Sequence, residues 1–352
     1  MLNSSSIVVD SHNDAIVSLI RRGGQSLAGP DAPARRVAAV RDPLGAEAPP
    51  IDEPASIVAE LRDPLGRDAA PIQVDIPNLK AGGVDVAYFA IDVTRALGNH
   101  LLFALDGFGW FLAEVNAHSD QIGIATTTDE INALHSEGRI AAVLAVENSD
   151  VLQRSLYVLP ALYSIGVRAI TLTWSYRADA ADGAFENATG GGLTKFGKSL
   201  VRAMNDIGML VDISHISDRG FWDTVDVSSA PLIGTHNCCR ALSHHPRNLD
   251  DDQIRAIASG GGVIGATLVP YFVDPETPSL DRFLDHVEHF AEVGGIDCVG
   301  IGSDFDGGGD VMADAGDFQQ IAEGLSDRGW SDDDLAKVMG LNHLRLFEQV
   351  CG

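Results

Sequence analysis

Two hydrophobic periods alternate along this chain. Short apolar runs rich in Val, Ile and Ala, bounded by turn residues, predict strands near 7 to 14, 84 to 93, 139 to 147, 167 to 174, 209 to 215, 231 to 236, 261 to 269 and 297 to 304. Between them the period lengthens to that of a helix. SLYVLPALYSIG at 155 to 166, LTKFGKSLVRAMNDIG at 193 to 208 and LDRFLDHVEHFAEVGG at 280 to 295 each carry an apolar stripe and close on Gly, where a helix C-cap belongs. Strict βα alternation implies a parallel sheet, and eight units imply closure into a (β/α)8 barrel. The expectation is an α/β fold in which residues 1 to 352 form a single domain.

Two stretches break the repeat. Residues 23 to 78 hold nine of the fifteen prolines and repeat RDPLG at 41 to 45 and 62 to 66, with little helical periodicity. They read as an insertion after the first strand, either a lid or dimer contact or a plain surface loop. A second expansion, between strands two and three, contains an amphipathic helix at about 100 to 118 and a shorter one at 129 to 137. Neither expansion looks like a separate domain.

Composition narrows the functional classes. With 45% hydrophobic and 21% charged residues the chain reads as an ordinary globular protein. It has no apolar run of the ~18 residues that a spanning helix needs. A formal charge of −26 opposes nucleic acid and anionic lipid, whose binding depends on Lys and Arg neutralising phosphates. Much of the acid is solvated surface, as in Asp332, Asp333 and Asp334 at the start of the last helix. Four cysteines, of which Cys238 and Cys239 are adjacent and none has CxxC spacing, indicate neither a disulfide framework nor a zinc knuckle. MLNSSSIVVD lacks the basic and hydrophobic regions of a signal peptide, and LRLFEQVCG lacks the spacer and tail of a lipid anchor, so a cytoplasmic location is expected.

The candidate chemistry sits at the strand ends. Alternation along VVDSHND puts Asp10, His12 and Asp14 on one face. The same parity turns Glu147, His215, His236 and Asp304 inward, at the C-terminal end where barrel active sites form. Each has a plain alternative: an Asp that merely orients a buried His, a barrel-end salt bridge, or a satisfied core histidine. Coincidence at the ends of five strands favours a metal site. Six groups are too many for one open catalytic ion and suit two, with Glu147 as the natural bridge. Nitrogen and oxygen donors suit zinc best, ahead of manganese, iron or cobalt. His286 and His289, at i and i+3 on a helix without an acidic third ligand, read as surface residues. GGGD at 307 to 310 and ATGGGL at 188 to 193 lack the features of phosphate loops and read as flexible active-site loops. No GxSxG elbow supports a serine hydrolase.

The order HND, AVEN, DISH, GTHN with a downstream HPRN, and GIGSDFDG resembles the membrane (renal) dipeptidase family of the amidohydrolase superfamily. GLNHLRLFE resembles its C-terminal signature, and the likeness covers nearly the whole chain outside the proline-rich insertion. The resemblance implies that His12 and Asp14 bind a first zinc, that Glu147 bridges, and that His215 and His236 bind a second. It makes Asp304 the catalytic aspartate beside a bridging water and Arg247 the receiver of the substrate's terminal carboxylate. A homodimer is implied in the same way. Mammalian members carry a histidine after Thr-Leu-Thr where this chain has Trp174, which shares the inward parity of Leu172 and whose indole N–H donates one hydrogen bond but carries no proton or charge. The expected activity is hydrolysis of small L,L or L,D dipeptides by a hydroxide held between two divalent ions, preferably Zn2+. An N-acyl amino acid, a cyclic amide or a lactone would need the same metals. A non-catalytic metal-binding protein on the same scaffold is the rival of another class.

Overall fold

Each of the eight apolar runs becomes a strand in the computed structural model, which describes residues 6 to 22, 24 to 33, 71 to 96 and 98 to 352. In chain order the strands are β1 (Val9–Asn13), β2 (Val86–Asp92), β3 (Ile122–Ile124), β4 (Ile140–Glu147), β5 (Val167–Thr171), β6 (Leu210–Asp212), β7 (Ile233–Asn237), β8 (Val263–Ala266) and β9 (Val299–Ile301). The short β3 has no counterpart in the sequence reading. It lies beside the start of β4, while β5 pairs with the later residues of β4. The other eight run in the order β1-β2-β4-β5-β6-β7-β8-β9, all parallel. Backbone bonds join the ends of this series: Asp14 N donates to Phe305 O at 2.9 Å, and Asp304 N donates to His12 O at 3.0 Å. The result is a (β/α)8 barrel.

Strand alternation sorts the apolar residues into two layers. Val86, Tyr88 and Ala90 of β2 join Ala141, Val143 and Ala145 of β4, with Leu210, Ile233 and Val263, in an inner cluster that includes Phe347. Phe347 lies on the C-terminal helix Asn342–Cys351 and meets Tyr88 edge-on, with ring centroids 6.2 Å apart. The intervening Ala87, Phe89 and Ile91, and Ala142, Leu144 and Val146, face the outer layer beneath the helices. Each fully buried Val, Leu or Phe contributes about 1.5–3 kcal/mol.

The helices follow the same logic. Lys195–Ile207 buries Gly197, Leu200, Val201 and Met204 at helical spacing, starts where Thr194 accepts from Gly197 N, and ends on Gly208 at φ 78°. Leu280–Gly294 buries Phe283, Leu284, Val287 and Phe290, and with them His286. His286 is therefore not a surface residue: it lies three residues from Phe283 and four from Phe290, on the buried face. Its Nδ1 accepts from Cys239 N at 2.9 Å, and its Nε2 is 2.8 Å from Val273 O. His289 is half-buried and pairs with Asp251 at 2.9 Å.

Most of the 23 to 78 insertion, residues 34 to 70 with both RDPLG copies, lies outside the described residues. Its described flanks are anchored. Ser26 Oγ and Leu27 N each donate to Glu114 at 2.9 Å. Gln73 N and Val74 N donate to Asp306 at 3.1 and 3.0 Å, and Asp306 N donates back to Gln73 Oε1 at 2.7 Å. The insertion thus returns to the barrel against the loop that carries Asp304.

Candidate metal centre

Simple alternation delivers only some of the site. Asp92 and Glu147 end β2 and β4 in phase with the inner residues Ala90 and Ala145, and they pair directly across the two strands. His12 and His236 arrive differently. Counting from the inner Val9 and Ile233 would turn both away, but register irregularities lie between Asp10 and Asn13 and between Gly234 and Asn237. His215 and Asp304 stand beyond their strands, at φ 69° and 61°. These left-handed residues re-aim their side chains at a local cost of about 1–3 kcal/mol each.

By these routes the predicted groups meet. Ligand atoms of His12, Glu147 and His236 lie within 4.8 Å of one another, as do those of His12, Asp14 and Asp304. His215 Nε2 is 2.6 Å from Glu147 Oε1 and 2.7 Å from His236 Nε2. All these residues are buried except Asp304, which is partly exposed. Gly307 fits between two of them: a Cβ at that position would sit 2.1 Å from Asp14 Oδ2 and 2.2 Å from Asp304 Oδ1.

Residues behind the histidines set which nitrogens face the cluster. Asp212 accepts four hydrogen bonds, from Ser214 N and Thr235 N at 2.9 and 3.0 Å, and from the hydroxyls of Thr171 and Thr235 at 2.6 and 2.7 Å. The Thr235 hydroxyl has one hydrogen, and it donates that hydrogen in its bond to Asp212. Towards His236 Nδ1, 2.9 Å away, that hydroxyl can only accept, so Nδ1 carries the hydrogen and Nε2 presents a lone pair to the cluster. His12 Nδ1 approaches the same oxygen at 3.5 Å. Ser175 Oγ lies 2.9 Å from His215 Nδ1.

This donor set fits divalent cations. His12 Nε2 is buried with no hydrogen-bond partner among the described residues. Burial holds His12 down to about 4, and holds His215 and His236 well below the usual histidine range, so all three are neutral imidazoles at neutral pH, the form that can bind a metal. Burial, reinforced by the carboxylates of Asp92, Asp14 and Asp304, pushes Glu147 well above the carboxylate range. So many carboxylates in one buried locus call for positive charge, and imidazole nitrogen with carboxylate oxygen is a zinc-type set.

The cluster opens into a cavity of about 590 Å³, within the range of small-molecule sites. Asp14, Asp92, Glu147, His215 and Asp304 line it with Trp174, Phe185, His245, Tyr271 and Phe272. Gly307, Gly308 and Asp310 of the GGGD loop line it too, with the amides of Gly307, Gly308 and Gly309 all donating to Asp304 O. The 188 to 193 loop does not. Trp174 stacks on His215, with centroids 5.5 Å apart and planes at 22°. Arg247 is 3% exposed and is not among the lining side chains; its Nη2 donates to His236 O at 3.1 Å, and its guanidinium lies 5.2 Å from the Phe272 ring. Burial lowers it to about 10, against the pull of Glu147, Asp304 and Asp212, so it stays charged at neutral pH.

Asp92, Asp212 and Thr235 are absent from the sequence-derived site. Asp92 was readable: it closes FAID as Glu147 closes AVE, at the same inner parity. It also caps the next turn by accepting from Thr94 N at 2.8 Å.

The family model for membrane dipeptidase, Peptidase family M19, matches residues 1–351. The chain belongs to the membrane dipeptidase family. A curated relative, Dipeptidase verJ of Clonostachys rogersoniana, is 37% identical over 242 residues, 67% of this chain and 62% of its own length. The match therefore spans less than two thirds of that relative. Among solved structures, the dipeptidase AC, a metallo peptidase of family M19, superposes with a TM-score of 0.81 at 24% identity, over 99% of each chain. A metallo peptidase from Rhodobacter sphaeroides, liganded with a phosphinate mimic of the dipeptide L-Ala-D-Ala, gives 0.79 at 23% identity over 98% of this chain and 100% of that one. These likenesses establish the barrel architecture of the family. Among the described residues no helix is long and apolar enough to cross a membrane.

Proposed function

We propose that this member of the family is a metal-dependent dipeptidase that hydrolyses the amide bond of small dipeptides, L,D as well as L,L, with two divalent ions, zinc by preference. The observation that carries the reading is the convergence of three neutral imidazoles with Asp14, Glu147 and Asp304 in one buried cluster that opens into the cavity. His12 and Asp14 would hold one ion and His215 and His236 the other, with Glu147 shared between them. Bound there, the ions would supply Lewis acidity and lower the pKa of a water to about 7.

The remaining work falls to the chain's own groups. Asp304, on its left-handed residue at the cavity edge, takes the proton from the attacking water and returns it to the departing amine. Arg247, charged and buried beside the lining residue Phe272, would draw the substrate's terminal carboxylate to that side of the cavity and so fix which bond lies over the cluster; its planar fork suits a carboxylate. Trp174 presents an aromatic face and one N–H donor where a histidine would offer a proton, so it shapes binding and transfers nothing.

Metal analysis beside a panel of L,L and L,D dipeptides tests this reading. The expected result is two ions per chain and turnover that chelation abolishes. Fewer than two ions would remove the shared role of Glu147. Asp304→Asn should retain both ions and lose at least about 100-fold in turnover; near wild-type rates would sink its assignment.

A further inference from the structure

A continuous run of rings flanks the cavity, and every ring of it except Tyr176 lines the wall. From the cluster histidine His215 it passes to Trp174 at 5.5 Å, to Tyr176 at 5.6 Å, to Phe185 at 5.5 Å, to His245 at 6.1 Å and to Phe272 at 4.6 Å. Phe272 in turn lies 5.2 Å from the guanidinium of Arg247. Two of the rings are mostly or largely open to solvent, Tyr176 at 58% and Phe185 at 45% exposed; Phe185 lines the cavity, as does the neighbouring Tyr271 at 70%. These side chains do little for the core.

Large apolar rings held open at the mouth of a site mark a surface that something apolar covers. The ends of the run identify what. It starts at the cluster, where the scissile bond would lie, and finishes at Phe272, beside the buried Arg247 towards which the terminal carboxylate would point. Between those two points a dipeptide carries only its carboxy-terminal residue. Val269 and Pro270 extend the apolar lining beside Tyr271 and Phe272, whereas Asp14, Asp92, Glu147, Asp304 and Asp310 are acidic and offer nothing to an apolar side chain.

We infer that the aromatic wall is a specificity subsite for the carboxy-terminal residue, and that the enzyme selects dipeptides ending in a bulky apolar or aromatic side chain. The inference rests on the dipeptidase reading and on the role of Arg247 within it. Covering the rings removes apolar area from water on both surfaces, so a Leu or Phe in this position gains on the order of tenfold or more over Gly.

The test compares kcat/KM for Ala-Gly, Ala-Leu and Ala-Phe with Gly-Ala, Leu-Ala and Phe-Ala on the metal-loaded enzyme. It is repeated in Phe185→Ala, Phe185→Leu and Tyr271→Ala. The expected ratio of Ala-Phe to Ala-Gly is about 10 or more in the wild type; it falls at least about fivefold in the two alanine variants and recovers in part in Phe185→Leu. A ratio near one, a preference confined to the amino-terminal series, or ratios untouched by both alanine variants would overturn the inference. If no dipeptide is turned over, the dipeptidase reading falls, and calorimetric titration with the phosphinate analogues of Ala-Phe and Ala-Gly decides the subsite alone. Tighter binding of the Ala-Phe analogue, weakened by Phe185→Ala, sustains it; equal or absent binding overturns it.

Discussion

Thr235→Val removes one hydroxyl and almost no volume, and its effect should appear in metal affinity. In the folded protein that hydroxyl donates to Asp212 at 2.7 Å and accepts from His236 Nδ1 at 2.9 Å. Valine leaves the Nδ1 hydrogen of a fully buried histidine without a partner and frees the ring to adopt the other tautomer, which would turn a hydrogen towards the cluster. Loss of such an outer partner weakens metal binding about 10- to 100-fold, or about 1.4–2.8 kcal/mol. That agrees with the roughly 1–3 kcal/mol for a buried donor left unmatched. Competition for zinc against a chromophoric chelator measures the affinity, and circular dichroism confirms that the variant is folded. Thr235→Ser keeps the hydroxyl and should bind within about threefold of the wild type. Equal affinity in wild type, Val and Ser would refute the proton count that assigns Nε2 to the metal.

Two further outcomes follow from the geometry. Gly307→Ala puts a methyl 2.1 Å from Asp14 Oδ2 and 2.2 Å from Asp304 Oδ1, so both carboxylates must move; zinc affinity should drop at least about tenfold for an overpacking strain of about 1–3 kcal/mol, and unchanged chelator titrations would contradict this. Burial lowers His343 from 6.5 to about 4, so between those values the unfolded chain binds a proton that the folded chain does not. Folded stability from this group is therefore complete above pH 6.5 and falls as pH drops towards 4, by up to about 1.4 kcal/mol per unit. In His343→Leu this component is gone, so its urea midpoint should gain on the wild type between pH 7 and pH 5; parallel curves would refute the assignment.

The strands were legible because inner and outer faces of a barrel impose a period of two on long apolar runs, as in β2 and β4. The same period reaches Glu147 at the end of AVE and Asp92 at the end of FAID. It does not reach the rest of the site. His12 and His236 follow register irregularities, and His215 and Asp304 sit on left-handed backbone, none of which is visible in residue types alone. Parity and chemical type at strand ends both point these four inward in the sequence; the structure brings them together, but through the irregularities and the left-handed residues and not through simple alternation. His286 shows the converse: its chemistry suggested nothing, while its spacing from Phe283 and Phe290 already placed it on the buried face.

The seam between the first and last strands gives the metal centre a place in the folding sequence. Asp14 N to Phe305 O and Asp304 N to His12 O close the barrel, and the same four residues or their neighbours carry one half of the cluster. Asp10 reinforces the seam by accepting from Ser303 N at 2.8 Å across 293 positions of sequence. A closure this distant is slow, because the loop entropy must be lost before any contact offsets it. A chain emerging from the ribosome therefore holds His12 and Asp14 through the synthesis of most of the barrel before Asp304 arrives. Tight metal uptake would then report the completed ring, and intermediates lacking β9 would be left without the extra stability that a bound ion confers.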